Sequence, residues 1–127
     1  MNITNCPCGS GLSYNNCCQP YHLKAKIAPT AEALMRSRYA AFVVADGDYL
    51  FETTHVSKRR GNSKDAYLKS ARNTKWLKLN IVAADFDTVE FKPFYLNKKF
   101  QTEVLHEKSS FRLENGKWFY FDGLFYS

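Results

Sequence analysis

The four cysteines of this chain lie within thirteen residues near its N-terminus, and this clustering most constrains how that end can fold. They follow the pattern C-x-C-x8-C-C at Cys6, Cys8, Cys17 and Cys18. A disulfide between the adjacent Cys17 and Cys18 is strained, whereas four thiolates in a short loop suit a closed tetrahedral site. The sequence therefore predicts a structural Zn²⁺ site, with a redox dithiol or a disulfide pair as alternatives.

The glycines beside the first two cysteines support the metal interpretation. Gly9 and Gly11 let backbone N–H groups turn toward the sulfur atoms and offset their negative charge. His22 is a substitute ligand if one of the two adjacent cysteines cannot reach the metal. Because a segment this short has no core of its own, we expect chelation to unfold residues 1–22 and leave the rest folded.

The run Cys6-Pro-Cys8-Gly-Ser-Gly, followed by Tyr14 and Cys17-Cys18, resembles the SEC-C motif, the zinc-binding tail of the bacterial preprotein translocase ATPase. In the translocase this motif docks an acidic chaperone and touches the ribosome. The resemblance implies Zn²⁺ as the cofactor. It also implies an acidic protein, or the ribosome and its RNA, as a partner.

The positive charge of the chain is concentrated in residues 58–78, which we call the basic segment. The whole chain has a net charge of +6, yet this segment carries eight basic side chains against the single Asp65. Such a segment attracts phosphate groups or acidic protein surfaces over long range, and salt weakens the attraction. A solvated helix without a partner is the alternative. The eight side chains are Lys58, Arg59, Arg60, Lys64, Lys69, Arg72, Lys75 and Lys78.

Composition indicates a globular chain outside the membrane. Hydrophobic residues make up 45% of the 127 residues, which is enough to bury a core. Apolar stretches fall far short of the roughly 20 residues that a membrane-spanning helix needs. The first residues lack the basic and apolar regions of a secretory signal, so we expect a cytoplasmic protein with reduced thiols.

Helical spacing follows the cysteines. Thr30 is placed to cap a helix whose apolar residues recur as far as Ala45. Gly47 ends this run, and Asp48 is placed to cap a short second helix. Beyond a basic loop, residues 63–72 predict a third helix, capped by Asn62 or by residue 63 itself.

Alternation of apolar and polar residues predicts antiparallel strands in the second half of the chain. Pro93 argues that its strand lies at an edge or contains a bulge. Asn115-Gly116 predicts a two-residue type I′ hairpin turn between the last two strands. Helices followed by an antiparallel sheet make an α+β fold. The predicted strands are Trp76 to Ala83, Val89 to Tyr95, Phe100 to Leu113 and Lys117 to Tyr126.

The hairpin turn determines which side chains face the helices. With Asn115-Gly116 as the loop, Ser109 lies opposite Asp122, and both share the more apolar face with Glu107. Arg38 lies on the apolar face of the first helix. We therefore expect a buried polar network in which Arg38 meets Glu107 or Asp122.

The body of the chain resembles the YchJ-like proteins, a bacterial family. The body domain of that family is similar to nuclear transport factor 2-like (NTF2-like) folds, in which a curved antiparallel sheet wraps around helices and leaves a conical cavity. The resemblance implies an SEC-C motif over residues 1–22 and an NTF2-like domain over residues 29–127. The matching runs are Thr30 to Phe42, Val89 to Phe91, His106 to Phe111 and Trp118 to Gly123.

Two functions fit this organisation. The first is a non-enzymatic adaptor, in which the zinc motif and the basic segment bind an acidic protein or the ribosome and its RNA. The alternative is a small-molecule binder or an enzyme in the cavity, with Glu107 or Asp122 as general base. Tyr39 or Tyr120 would then donate to an oxyanion. The expected ion pair holds these carboxylates ionised and occupied, so no residue is assigned a catalytic role. Two histidines are assigned surface or packing roles: His55 and His106.

Overall fold

The computed structural model describes residues 5–126, so the ends of both expected units, residues 1–4 and residue 127, lie outside the described part. Helices come first and an antiparallel sheet follows, which confirms the α+β class. The helices are α1 (Gln19–His22), α2 (Ala31–Val44), α3 (Gly47–Glu52) and α4 (Lys64–Asn73), with single 3-10 turns at Tyr14–Asn16 and Val56–Lys58. The strands are β1 (Lys75–Ala84), β2 (Thr88–Leu96), β3 (Thr102–Val104), β4 (Glu107–Glu114) and β5 (Lys117–Phe125).

The long helix α2 is capped as its sequence predicts. The Oγ1 atom of Thr30 accepts a hydrogen bond from the N–H of Ala33 at 3.0 Å. The helix ends at Ala45, which adopts a left-handed conformation with φ of 60°. The helix therefore ends before Gly47, the residue at which the sequence analysis expected it to end.

Gly47 is instead the first residue of α3. This position has no room for a side chain. A Cβ atom built on Gly47 would lie 2.8 Å from the carbonyl oxygen of Lys64 in α4. The cap of α3 is Asp46, whose Oδ1 accepts a hydrogen bond from a backbone N–H at 3.0 Å, so the expected cap at Asp48 is wrong. Ser63 caps α4, one of the two positions expected.

The sheet has the strand order β1-β2-β4-β5, and β3 pairs with β2 beyond the end of β4. The expected strand over residues 100–113 is split because β2 contains Pro93 opposite the break. The carbonyl of Pro93 accepts a hydrogen bond from the N–H of Leu105 at 3.1 Å, but proline has no N–H to return. Pro93 therefore lies in a central strand at an interrupted ladder, not in an edge strand.

The hairpin of β4 and β5 turns as predicted but changes register further from the turn. Asn115 and Gly116 have φ of 53° and 78°, as a type I′ turn requires. Phe121 is an extra residue in β5, so Ser110 pairs with Asp122. The predicted pairing of Ser109 with Asp122 is therefore wrong, and Asp122 is exposed.

The core lies between α2 and the inner face of the sheet. Apolar side chains at helical spacing on α2 meet alternating side chains of four strands. Burying each large apolar side chain contributes about 1.5–3 kcal/mol. Within residues 5–126, no helix combines the length and the apolar character needed to cross a bilayer. The buried residues of this core include Leu34, Met35, Tyr39, Leu79, Val89, Phe91, Phe111 and Trp118.

Candidate functional site

The four cysteine sulfur atoms converge at one point, where they form what we call the cysteine cluster. All four Sγ atoms lie within 4.8 Å of one another, and none of them is in a disulfide bond. The Sγ atoms of Cys8 and Cys17 are 3.6 Å apart, and those of Cys17 and Cys18 are 3.9 Å apart. A tetrahedral site with Zn–S bonds of about 2.3 Å places its sulfurs about 3.8 Å apart. The cluster therefore has the donors and the spacing to hold a metal ion.

A tight turn brings the sulfur atoms together. The N–H of Cys6 donates to the carbonyl of Leu12 at 2.9 Å, and the N–H of Gly9 donates to the carbonyl of Cys6 at 3.2 Å. Gly9 has φ of 81°, which side chains disfavour. The hydroxyl of Ser10 lies 3.1 Å from the sulfur of Cys17 and offsets negative charge there.

The ionisation of the thiols depends on their mutual contacts. Contacts with the thiols of Cys18 and Cys6 hold the pKa of the Cys8 thiol well below its usual range. Contacts with Cys6 and Cys8, together with burial, raise the pKa of the Cys18 thiol. Without a cation, one thiolate is therefore favoured and further thiolates repel it. A divalent ion removes this repulsion, because it coordinates thiolates.

The segment that carries the cluster, residues 5–22, is called the cysteine module, and it is docked on α2. Ala40 of α2 packs against the buried cysteines. Arg36 donates from Nη1 to the carbonyl of Cys8 at 2.8 Å, and its Nε pairs with Glu32 at 3.0 Å. The module therefore shares its buried surface with the helical domain.

His22 joins the module to α2 and is not a ligand in this arrangement. Its Nε2 lies 2.8 Å from the carbonyl oxygen of Ser37, and its Nδ1 lies 2.6 Å from the hydroxyl of Tyr14. Since a carbonyl can only accept, Nε2 carries the hydrogen and Nδ1 accepts from Tyr14. Burial lowers the pKa of His22, which favours this neutral ring. Both nitrogens are thus engaged away from a metal.

Four side chains of the basic segment contact other side chains or the backbone of the molecule. Arg59 donates from Nε to the carbonyl of Thr54 at 3.0 Å, and the ammonium of Lys64 pairs with Asp48 at 3.1 Å. The ammonium of Lys58 lies 4.7 Å from the ring centre of Phe121, and that of the exposed Lys78 lies 4.5 Å from the ring centre of Phe94. The other four are exposed and, among the described residues, have no carboxylate within 4.0 Å. They are Arg60, Lys69, Arg72 and Lys75.

A cavity of about 280 Å³ lies between the helices and the inner face of the sheet, and we call it the central cavity. Its walls bring together three of the four residues of the expected polar network, namely Arg38, Glu107 and Ser109. Asp122 is not among them, because the bulge turns it to the exposed face. Aromatic side chains form most of the remaining wall: Tyr39, Phe42, Trp76, Phe91 and Tyr120.

Arg38 is held by neutral acceptors. Its side chain is buried, and Nη1 donates to the carbonyl of Leu50 at 2.8 Å and to Oγ1 of Thr53 at 2.7 Å. Within residues 5–126, no carboxylate lies within 4.0 Å of its guanidinium. The expected ion pair of Arg38 with Glu107 or Asp122 is therefore wrong, because the end of α3 supplies the acceptors.

Glu107 lies in the central cavity in close contact with the backbone at Gly123. Its carboxylate accepts a hydrogen bond from Oγ of Ser109. A Cβ atom built on Gly123 would lie 2.5 Å from Oε2 of Glu107 and 2.7 Å from the hydroxyl of Tyr120. Burial raises the pKa of Glu107, although the Ser109 hydrogen bond and the charge of Arg38 lower it in part.

Two histidine–glutamate pairs have no signal in the sequence. His55 is buried, with its Nε2 2.5 Å from Oε2 of Glu114 and its Nδ1 2.7 Å from Oγ of Ser57. Nε2 of His106 lies 2.6 Å from Oε2 of Glu90. The paired residues are 59 and 16 positions apart, so only the folded sheet brings them together.

Comparison with known families covers most of the chain. A family model described as YchJ, middle NTF2-like domain, matches residues 30–123, and a SEC-C motif model matches residues 5–20. A UPF0225 protein of Pectobacterium carotovorum is 40% identical over 128 residues, which cover 94% of this chain and 83% of that relative.

Two solved structures resemble the whole molecule. The solution structure of a SEC-C motif containing protein from Rhodopseudomonas palustris has a TM-score of 0.87 and 34% identity over 100% of both chains. The crystal structure of a SEC-C motif containing protein from Psychrobacter arcticus has a TM-score of 0.76 and 26% identity. That match covers 96% of this chain and 81% of the other.

Proposed function

Because this chain belongs to the YchJ family, which joins a SEC-C motif to an NTF2-like domain, we propose that it is a non-enzymatic, zinc-containing adaptor. In this proposal the cysteine module and the neighbouring end of the basic segment form one surface. That surface binds an acidic protein.

The contact between the cysteine module and β1 carries this proposal. A Cβ atom built on Gly9 would lie 3.6 Å from the carbonyl oxygen of Leu79. The exposed loop over residues 9–12 therefore lies beside the strand that carries Lys75 and Lys78. In this proposal, a partner that contacts the loop extends along β1 to these two exposed ammonium groups.

The side chains of this surface favour a protein partner over RNA. Leu12 in the loop is 55% exposed, and Leu77 in β1 is 44% exposed. Exposed aliphatic side chains beside cations suit an acidic protein that also presents apolar residues. Single-stranded RNA is bound through aromatic side chains on which its bases stack. We therefore assign the partner as an acidic protein surface.

The donor set supports zinc with a structural role. Four sulfur ligands, three of them buried, suit Zn²⁺ and leave no coordination position open for a substrate. Bound there, the ion supplies cross-linking of the module. The turn around Gly9 then presents Leu12 in one fixed conformation.

Binding of an acidic helical peptide that carries leucines on one face tests this function. We expect the fluorescence anisotropy of the labelled peptide to rise with the full-length protein, and the affinity to fall as salt is added. The double variant Lys75→Gln/Lys78→Gln removes two exposed charges and should weaken binding by roughly three- to tenfold. The matched control is Lys98→Gln/Lys99→Gln, which removes two exposed charges in the loop after β2 and leaves binding within about twofold.

A variant that lacks one of the four cysteine ligands and a competing RNA complete the test. Cys17→Ser should weaken peptide binding, because the loop loses its fixed conformation. Equal loss in the two lysine variants would show that only net charge matters and would contradict a defined surface. Tighter binding of a single-stranded oligouridine than of the peptide would reassign the partner to RNA.

A further inference from the structure

The central cavity has no part in the adaptor surface, yet its wall combines a buried charge with a buried N–H group that lacks a partner. It is bounded by α2, α4 and the inner face of the sheet. Asn62 and Phe125 are exposed lining residues and mark its opening. Its volume of about 280 Å³ equals about nine water-sized volumes of ~30 Å³ each. The cavity is therefore large enough for a molecule with one aromatic ring.

The positive charge in this cavity is not neutralised by a direct ion pair. Arg38 is 4% exposed, and its hydrogen bonds go to neutral oxygens. Its guanidinium carbon lies 4.8 Å from the ring centre of Tyr120, which provides a cation–π contact but no neutralising charge. The carboxyl of Glu107 lines the same cavity and interacts with this charge without a direct ion pair, so an anion that reaches the guanidinium itself is favoured.

One hydrogen-bond donor in the wall lacks an acceptor. Nε1 of Trp76 is buried and, among the described residues, has no hydrogen-bond partner. The other tryptophan, Trp118, donates its indole N–H to the carbonyl of Pro29 at 3.3 Å. An unpaired buried N–H costs about 1–3 kcal/mol. The wall therefore combines an unpaired N–H at Trp76 with a cation, Arg38, whose hydrogen bonds go to neutral oxygens alone.

Glu107, the carboxylate among the residues that line the cavity, does not supply the missing acceptor. The carboxylate of Glu107 accepts a hydrogen bond from Ser109 and makes no ion pair within 4.0 Å with Arg38. The unpaired group at Trp76 is a donor and the side chain of Arg38 is a cation, so both are suited by an acceptor with negative charge. The walls provided by Tyr39 and Phe42 are aromatic faces, which suit a flat apolar body.

We propose that the central cavity binds a small aromatic carboxylate, whose carboxylate pairs with Arg38, whose acceptor oxygens satisfy Trp76 and whose ring packs on the aromatic wall. The ligand is a one-ring acid of the size of benzoate. This site is separate from the adaptor surface, and its test does not depend on the partner.

Three probes of equal size separate the ligand classes by charge. Benzoate is anionic, benzamide is neutral and benzamidinium is cationic. Because charge-assisted hydrogen bonds are about twice as strong as neutral ones, we expect benzoate to bind about tenfold more tightly than benzamide. Benzamidinium should not bind detectably, since Arg38 repels it.

The indole N–H of Trp118 serves as an internal reference for the indole N–H of Trp76 in this titration. It contains only two tryptophans, so two indole N–H signals appear in a ¹⁵N–¹H correlation spectrum. Benzoate should shift the signal of Trp76, which gains an acceptor, and leave that of Trp118 in place. Equal shifts of both signals, or no shift at millimolar benzoate, would overturn the proposal.

Two variants test the charge balance of the site. Arg38→Lys keeps the charge but loses the planar fork, and we expect it to weaken benzoate binding about tenfold. Glu107→Gln removes a negative charge and keeps an acceptor for Ser109, so it should strengthen benzoate binding about threefold at neutral pH. The second variant decides the question if the first does not fold. Asp122→Asn is the matched control, because Asp122 is an exposed carboxylate on the same hairpin.

The affinity should also depend on pH through Glu107. The other titratable groups that line the cavity are Arg38 and Tyr39 of α2, Tyr67 of α4 and Tyr120 of β5. Burial raises the pKa of Tyr39 to about 12 and raises the pKa of Tyr120 above its usual range, so neither of these phenols ionises below pH 8. Benzoate binding should therefore weaken from pH 5 to pH 8 in the natural chain and stay constant in Glu107→Gln. Preferential binding of benzamidinium, or weaker benzoate binding by Glu107→Gln, would overturn the proposal.

Discussion

At the scale of single residues, the central cavity depends on the absence of a side chain at Gly123. The bulge at Phe121 places Gly123 opposite Ser109, directly under the carboxylate of Glu107. This position is not left-handed, so the glycine is explained by close approach and not by backbone conformation. A side chain at this position would therefore displace Glu107 or Tyr120 from the wall of the cavity.

Gly123→Ala should lower the free energy of unfolding by about 1–3 kcal/mol, because the new methyl group overlaps Glu107 and the hydroxyl of Tyr120. Urea unfolding measures the change. Replacing Glu107 by Ala removes the main clash, so the same Gly123→Ala change should cost less in a Glu107→Ala background. Equal costs in both backgrounds would contradict this explanation.

Glu107→Gln should stabilise the folded chain increasingly as pH rises. Burial raises the pKa of Glu107 in the folded state, so the folded state holds this proton more tightly than the unfolded state. The stability associated with Glu107 is therefore full below its unfolded pKa and is lost as pH rises through the folded pKa. Thermal unfolding at pH 4 and pH 7 should show a larger gain for Glu107→Gln at pH 7, and a gain independent of pH would contradict the assignment.

At the scale of secondary-structure elements, local signals were sufficient where the deciding contacts are local. The cysteine cluster, the Thr30 cap and the Asn115-Gly116 turn each depend on residues close together in sequence, and the structure contains all three. The bulge in β5, by contrast, places Phe121 in contact with residues that are distant in the sequence. Its ring lies 3.5 Å from the guanidinium carbon of Arg112 and 5.5 Å from the ring centre of His55.

The same distinction explains the polar network. The hairpin pattern correctly placed Glu107 and Ser109 on the inner face, because they lie on the strand before the bulge. The pattern misplaced Asp122, because this residue follows Phe121, the extra residue of the bulge, which shifts the pairing by one position. The acceptors of Arg38 come from the end of α3, and no periodic pattern in the sequence indicates that contact.

The docking of the cysteine module on α2 predicts that Arg36 affects metal retention without being a ligand. Its hydrogen bond to the carbonyl of Cys8 holds the chain between two ligands. Arg36→Gln should therefore weaken metal affinity about tenfold, the lower end of the range for outer contacts of metal sites. Competition with a chromophoric chelator measures this. Arg60→Gln, which changes an exposed arginine elsewhere, should leave the affinity unchanged.

At the scale of the whole molecule, the chain consists of the cysteine module docked on an α+β domain. The domain has its own core between α2 and the sheet, whereas the module buries its sulfurs against a single residue of that helix, Ala40. The two parts therefore depend on different stabilising contacts. The domain should remain folded without metal, and the module should not.

Chelation should thus disorder residues 5–22 selectively. Amide hydrogen exchange measured before and after metal removal should accelerate in the module and stay slow at Phe91 and Phe111 in the core. Accelerated exchange throughout the chain would contradict separate stabilisation. It would also make the domain, and not only the module, dependent on the metal.

Native mass spectrometry of the freshly isolated full-length chain tests the ligation by the four sulfurs most directly. We predict one Zn²⁺ ion per chain, with Cys6, Cys8, Cys17 and Cys18 all reduced, and loss of that ion in Cys17→Ser. A chain that carries no metal, or whose mass is lowered by disulfide formation among these residues, would contradict the proposed metal-organised module and the adaptor that depends on it.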